Sequence, residues 1–354
     1  MKHSDLVRTA ARLFEAHEPF MVIGPPGGGK TEGLLAAAEI ALGRRKEGAL
    51  AGTRKRAEAA TRIIITHPVI SEEVDYRGLP GFVKGKDDEL RAVFMPFGFL
   101  REIIETQEPT IVIIDDVGQA RLSVQAALMQ MVQLREIDGN RVSDSVTFAL
   151  ASNRREDRAG VQGMVSALLD RCVCVLTLEI DRDELARWLI ANDYPTILAA
   201  WVRWDNQSVF FDAKQEFGKS STPRSIAGVG RLLKLGLDSP ELLQGAMGAS
   251  SAARFNAYRK VEAALVSTEE ILKNPTKVKV PEERDVLYAV MAGLAGKLEE
   301  KNLAAGVAYL ERIPPEFAVM VMKDVVAKLK EKCEVEKIPA FVKWARANAK
   351  LLGV

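Results

Sequence analysis

The chain has 354 residues, is 47% hydrophobic and 27% charged, and carries a formal net charge of +1. That composition suits two or three globular domains, and its balanced charge demands neither a nucleic-acid nor a membrane partner, leaving only a local patch open. Cys172, Cys174 and Cys333 make a poor disulfide framework, His3, His17 and His67 a poor His-rich metal site, and no run of 18 apolar residues or secretory leader occurs; the expectation is a soluble, cytoplasmic protein with no membrane partner.

The first apolar run, "FMVIG" (20–24), reads as a buried strand. It passes directly into Gly24-Pro25-Pro26-Gly27-Gly28-Gly29-Lys30-Thr31, after which the spacing predicts a helix over 31–42. The eight residues fit G-x-x-x-x-G-K-[ST] at every fixed position, in the strand-to-helix context that the motif requires. Glycines let the backbone turn its N–H groups inward around phosphate oxygens, and the helix N-terminus adds its positive dipole. Lys30 then reaches the β- and γ-phosphates of ATP, and the Thr31 hydroxyl ligates Mg²⁺. The plain alternative is a Gly/Pro turn that happens to precede Lys-Thr.

Four further runs follow: "RIIITH" (62–67), "TIVIIDD" (110–116), "SVTFALAS" (145–152) and "CVCVLTLEI" (172–180). Helical patterns separate them at 97–104, 123–134 and 161–169. Near-continuous Val/Ile runs alternating with helices predict a mostly parallel, doubly wound sheet. The third run ends in Asp115-Asp116, and two carboxylates closing a buried strand are costly unless a cation sits there. Asp115 fits the Mg²⁺-associated acid, and Asp116 the group that orients an attacking water; solvated acids at a strand end are the alternative. Beyond about residue 182 nearly everything reads as helix, broken at "NPTKVKVPEE" (274–283). An apolar stripe in "YLERIPPEFAVMVMKDVVAKL" (309–329) reads as core, and the aromatic cluster "LAAWVRWDNQSVFF" (198–211) as packing between helices.

The phosphate loop, the "IIDD" strand and the segment 123–157 together resemble an AAA+ ATPase, and within that family the MoxR-type branch. "LLDR" (168–171) and "STPRS" (221–225) match the same pattern, so the resemblance covers roughly 15–235. It implies an AAA+ core of five mostly parallel strands flanked by helices (1–181), an α-helical lid (182–238) and a C-terminal all-helical domain (239–354). Asn153 resembles sensor 1, Arg171 the arginine finger that reaches a neighbouring subunit, and Arg224 sensor 2 at the start of a lid helix. Arg154 and Arg155 are rivals for the intersubunit role. The ordinary alternatives are an Asx-turn for Asn153, a helix-end cation for Arg171 and a surface residue for Arg224. Such relatives are rings, with a hexamer expected here, that hydrolyse ATP with Mg²⁺ to remodel a protein client, often beside a von Willebrand A-type partner.

Two departures stand out. The family has Asp-Glu where this chain has Asp115-Asp116, so slow hydrolysis or a weakly hydrolysing nucleotide switch is one alternative function. The segment "HPVISEEVDYRGLPGFV" (67–83) lies where the branch inserts an extra element, and its "LPGF" is either an exposed apolar tip or a buried turn. His67 stands where relatives often carry a polar switch residue, though the residue alone reads as a satisfied structural histidine. A basic stretch over 44–62 supports the other alternative, a nucleic-acid motor or loader, but no aromatics are interleaved for base stacking.

Overall fold

All five apolar runs contribute to one parallel sheet in a computed structural model of the chain, which describes residues 1–43, 63–85, 88–157, 166–205, 210, 219–262, 267–329 and 333–349. The first part runs α1 (His3–Glu15), β1 (Phe20–Gly24), α2 (Lys30–Ala41), β2 (Ile63–Thr66), α3 (Glu73–Arg77), β3 (Leu79–Lys84), β4 (Leu90–Met95) and α4 (Gly98–Glu105). It continues through β5 (Thr110–Ile114), α5 (Leu122–Leu134), β6 (Glu136–Ile137), β7 (Asn140–Arg141), β8 (Val146–Asn153), α6 (Ser166–Leu169) and β9 (Val175–Thr177). The sheet order is β2-β5-β8-β1-β9, with every neighbouring pair parallel. The architecture is therefore α/β: a five-stranded parallel sheet flanked by helices, followed by an all-helical region.

The burial follows from the sequence. β5 and β8 are buried at every position, as strands covered on both faces must be. Val112, Ile114, Phe148 and Leu150 pack with Leu100, Ile103, Val124 and Leu128 from α4 and α5. The amphipathic α1 buries Leu6, Ala10 and Phe14, and the Phe14 ring meets Phe20 edge-on at 5.1 Å. Each such aromatic withdrawn from water contributes about 2–3 kcal/mol.

The structure corrects two expectations and adds one feature. The run 172–180 yields strand only over Val175–Thr177, because Cys172 is still in the turn that closes α6, its N–H bonded to Leu169 O at 3.0 Å. The "TIVIIDD" strand stops at Ile114, so both aspartates lie beyond it. Two antiparallel hairpins, β3–β4 and β6–β7, stand outside the main sheet. The basic stretch 44–62 lies outside the described residues, as do residues 161–165 of the helix expected before "LLDR".

Burial, then the neighbouring Cys174, pushes the Cys172 thiol up to about 12. Only about one molecule in ten thousand then carries the thiolate at pH 8. Brief iodoacetamide treatment of the native protein at pH 8, read by peptide mass spectrometry, is expected to leave Cys172 unmodified. Denatured protein labels there fully.

The remaining chain forms a second compact unit beginning at Ile180. It comprises α7 (Arg182–Ala191), α8 (Thr196–Trp204), α9 (Pro223–Lys234), α10 (Pro240–Met247), α11 (Ala249–Glu262), α12 (Thr268–Lys273), α13 (Arg284–Lys297), α14 (Leu303–Leu310), α15 (Pro315–Leu329) and α16 (Pro339–Ala347). Leu189, Trp201, Phe255, Leu294, Val321 and Trp344 belong to one apolar cluster, so the stripe on α15 faces core. A side chain at Gly296 would run into Thr196, so α8 and α13 approach closely there. The expected break survives between α12 and α13.

Within this unit Arg203 of α8 forks onto Asp324 of α15, Nη1 to Oδ2 at 2.7 Å and Nη2 to Oδ1 at 2.6 Å. Their side chains are 2% and 1% exposed. Asp183 accepts from Arg203 Nε at 3.1 Å, adding α7 to the network. Burial works against the Arg203 charge, but the carboxylates of Asp324 and Asp183 outweigh it and hold its pKa above the usual value. Among the described residues no helix is long and apolar enough to cross a membrane.

Candidate nucleotide site

Strand register brings Asp115, Asn153 and the loop that carries Lys30 and Thr31 to one edge of the sheet. Gly24 lies opposite Asn153, and Thr66 opposite Ile114. His67, Asp115 and the loop after Gly24 each leave their strands at that carboxyl-terminal edge, where open α/β sheets place ligands.

The loop after β1 needs its glycines. Gly27 and Gly29 have φ of 66° and 93°, in the left-handed region where a β-carbon is strained. A β-carbon on Gly28 would lie 3.0 Å from Pro25 O. Directly after Gly29, α2 starts at Lys30, so its first backbone N–H groups lie beyond the reach of intrahelical partners.

Lys30 is buried. Its Nζ donates to Gly24 O and Pro25 O, both at 3.0 Å, and to Asn153 Oδ1 at 2.7 Å. Asn153 Nδ2 in turn points to Asp116 Oδ1 at 3.4 Å. The Asn153 amide therefore has its oxygen on a cation and its N–H on a carboxylate, which sets its orientation. Thr31 Oγ1 donates to Asp115 Oδ2 at 2.5 Å, while Asp115 Oδ1 accepts from Asp116 N at 3.0 Å. Thr31 and Asp115, 84 residues apart, thus present two oxygen donors side by side. That is the donor chemistry of a hard divalent cation such as Mg²⁺. Asp116 adopts φ 59° and ψ 33°, a left-handed conformation that costs a non-glycine residue about 1 kcal/mol or more and that aspartate tolerates better than most.

His67 follows β2, and its exposed imidazole offers a nitrogen near the carboxylates of Asp115 and Asp116, the three ligand atoms lying within 4.8 Å of one another. No hydrogen bond to its ring is found among the described residues, while its carbonyl accepts from Ser71 Oγ at 3.1 Å.

The arginines are less gathered. Arg171 donates through Nε to Gln133 Oε1 of α5 and joins none of the cluster above. Arg154 is committed to Asp157 through Nε–Oδ2 at 3.0 Å and Nη2–Oδ1 at 2.9 Å, and that bond, working against its partial burial, raises its pKa. Arg155 is exposed. Arg224, exposed in the second unit, is the second residue of α9, after Thr222 as N-cap and Pro223. A cation there opposes the helix dipole, so it does nothing for the helix that carries it.

Of the two readings of "LPGF", the structure supports exposure. Phe82 and Leu90 are 74% and 69% exposed, on strands β3 and β4 rather than at the turn between them. The hairpin separates α3 from α4, and its root is tied to β6–β7. Arg77 forks onto Asp138 at 2.7 and 3.0 Å, and Asn140 Nδ2 donates to Phe94 O at 3.1 Å. Two apolar runs flanking the polar "GKDDE" were the available signal for a hairpin.

No protein family matches the chain, and no curated protein matches it. Among solved structures it is similar to the Holliday junction branch migration motor RuvB of Thermotoga maritima, at 16% identity over 88% of this chain and 86% of that one, with a TM-score of 0.38. It is also similar to NtrX from Brucella abortus in complex with ADP, at 14% identity over 99% and 68% of the two chains and a TM-score of 0.40. A third is the replication initiator DnaA bound to AMPPCP and single-stranded DNA, at 16% identity over 98% and 93% with a TM-score of 0.36.

Proposed function

We propose that the chain is an AAA+ ATPase of MoxR type that binds ATP with Mg²⁺, assembles as a ring and remodels a protein client. The observation that carries the nucleotide reading is the convergence of Lys30, Thr31, Asp115, Asp116 and Asn153 through the bonds at 2.7, 2.5 and 3.4 Å. A Gly/Pro turn or a solvated strand end has no need of that network. Gly24 to Gly29 cradle the phosphates, Lys30 neutralises the β- and γ-phosphates, and Thr31 with Asp115 hold Mg²⁺. Mg²⁺ held there would supply Lewis-acid stabilisation of charge on the phosphoryl oxygens. Asp116 and Asn153 orient the attacking water for in-line displacement.

Arg171 supplies the trans-acting positive charge, which its exposed bond to Gln133 releases at little cost. Arg224, at the start of α9 in the lid (182–238), takes the sensor 2 role through the family resemblance alone, and the domain from 239 onward follows the lid. The exposed apolar hairpin supports the remodelling reading, because a surface of that kind marks a protein contact. A von Willebrand A-type partner belongs to this reading through the family resemblance alone.

The test is ATP turnover per subunit against protein concentration, with sizing in ATP. Turnover that rises steeply alongside a hexamer-sized species is the expected result, and flat turnover from a monomer overturns the ring. Arg171→Ala is expected to keep nucleotide affinity and lose roughly 10³-fold or more in kcat; unchanged turnover removes Arg171 from the mechanism. Salt-dependent DNA binding lost on neutralising Arg54, Lys55 and Arg56 favours the motor or loader instead. Silent wild type with activity restored by Asp116→Glu favours the switch.

A further inference from the structure

His67 brings to this edge of the sheet a donor that the proposed phosphate chemistry leaves unused. Successive residues of a strand point to opposite faces, so Asp115 and Asp116 would diverge if β5 continued through them. The strand instead ends at Ile114, and the left-handed backbone of Asp116 turns the chain. Both carboxylates consequently share one cluster with the imidazole of His67, all three ligand atoms within 4.8 Å. Two donors on one small divalent ion stand at most about 4 Å apart, so the cluster needs only a small side-chain rotation to close.

The frame around it is fixed by main-chain bonds. Asp115 N donates to Thr66 O at 2.9 Å, and the His67 carbonyl accepts from Ile70 N and Ser71 Oγ, both at 3.1 Å. The His67 side chain itself is exposed, with a ring not bonded to any described residue.

The donor set is one nitrogen and two oxygens. Mg²⁺ prefers oxygen throughout and keeps its waters, whereas Mn²⁺, Co²⁺ and Zn²⁺ accept imidazole readily. We infer that His67, Asp115 and Asp116 form a cation subsite for an imidazole-accepting divalent transition metal, so that this protein binds such ions ahead of Mg²⁺. The inference deepens the proposed nucleotide site and rests on the reading of Asp115 as its cation-associated acid.

The test uses the full chain and Mn²⁺ alone, without nucleotide. Mn²⁺ is titrated by electron paramagnetic resonance, and pulsed measurements read nitrogen modulation from a coordinated imidazole. Wild type is expected to bind one Mn²⁺ with that modulation and to release it only to a large excess of Mg²⁺. His67→Ala is expected to lose the modulation and at least about tenfold in Mn²⁺ affinity, with its circular-dichroism melting curve unchanged. Asp116→Asn is expected to weaken Mn²⁺ while leaving the modulation of the residual complex. Equal Mn²⁺ affinity in wild type and His67→Ala overturns the inference, as does wild-type binding without nitrogen modulation. A fluorescent ATP analogue in Mg²⁺ reads the nucleotide site separately. Analogue binding without the Mn²⁺ difference overturns only the cation subsite, and failure of both overturns the two readings together.

Discussion

Lys30→Ala is expected to abolish measurable binding of a fluorescent ATP analogue. An ammonium held at 2.7–3.0 Å from two loop carbonyls and Asn153 is already positioned where the loop curls. Its exchange of those partners for phosphate oxygens makes charge-assisted bonds, and losing them costs roughly 3 kcal/mol or more, about a hundredfold in affinity. The substitution also leaves Gly24 O, Pro25 O and Asn153 Oδ1 without that donor, which costs about 1–3 kcal/mol of stability. Thermal denaturation monitored alongside the titration separates the two effects. A folded variant that binds the analogue as wild type does would remove the phosphate loop from the proposal.

Asp324→Ala is expected to be the most destabilising single change in the helical unit. Removing one member of a buried bidentate pair strands the other charge, at a cost of about 3–5 kcal/mol. Among the described residues Arg203 would keep only Asp183, whose side chain is 60% exposed. Pairing Asp324→Leu with Arg203→Met removes both charges and is expected to recover most of the loss, since apolar replacements of matched size fill such sites well. The chain's four tryptophans, Trp188, Trp201, Trp204 and Trp344, all lie in this unit. Urea unfolding followed by their fluorescence therefore reports on it selectively. A single variant within about 1 kcal/mol of wild type, or a double variant no better than the single, would refute this account.

The sheet was legible because its strands are buried on both faces. "FMVIG" is β1 to the residue, and the register that sets Gly24 opposite Asn153 follows from parallel pairing of such runs. The turn after β1 was legible because left-handed backbone at Gly27 and Gly29 has few chemical solutions. The end of β5 was not, since an apolar run gives no warning that Asp116 will turn left-handed two residues past Ile114. The proximity of His67 to the aspartates was illegible too, being a product of register between β2 and β5 rather than of any local pattern. The Arg203–Asp324 pair joins residues 121 apart, and neither has a neighbour in sequence that hints at the other.

The β3–β4 hairpin has a consequence for how this fold can change. Leu79 pairs with Met95, so the chain leaves the α/β unit and returns to it through one narrow doorway. Gly78 guards that doorway at φ 93°, where a β-carbon would collide with the Met95 carbonyl. What lies outside is closed by the ribbon's own ladder, and lengthening it adds only the slow logarithmic cost of a longer loop. Apart from the Asn140 bond to the Phe94 carbonyl, drift between Leu79 and Met95 does not enter the register that sets Gly24 opposite Asn153. The hairpin is the place where about seventeen residues can be exchanged while the parallel sheet of the α/β unit keeps its pairing.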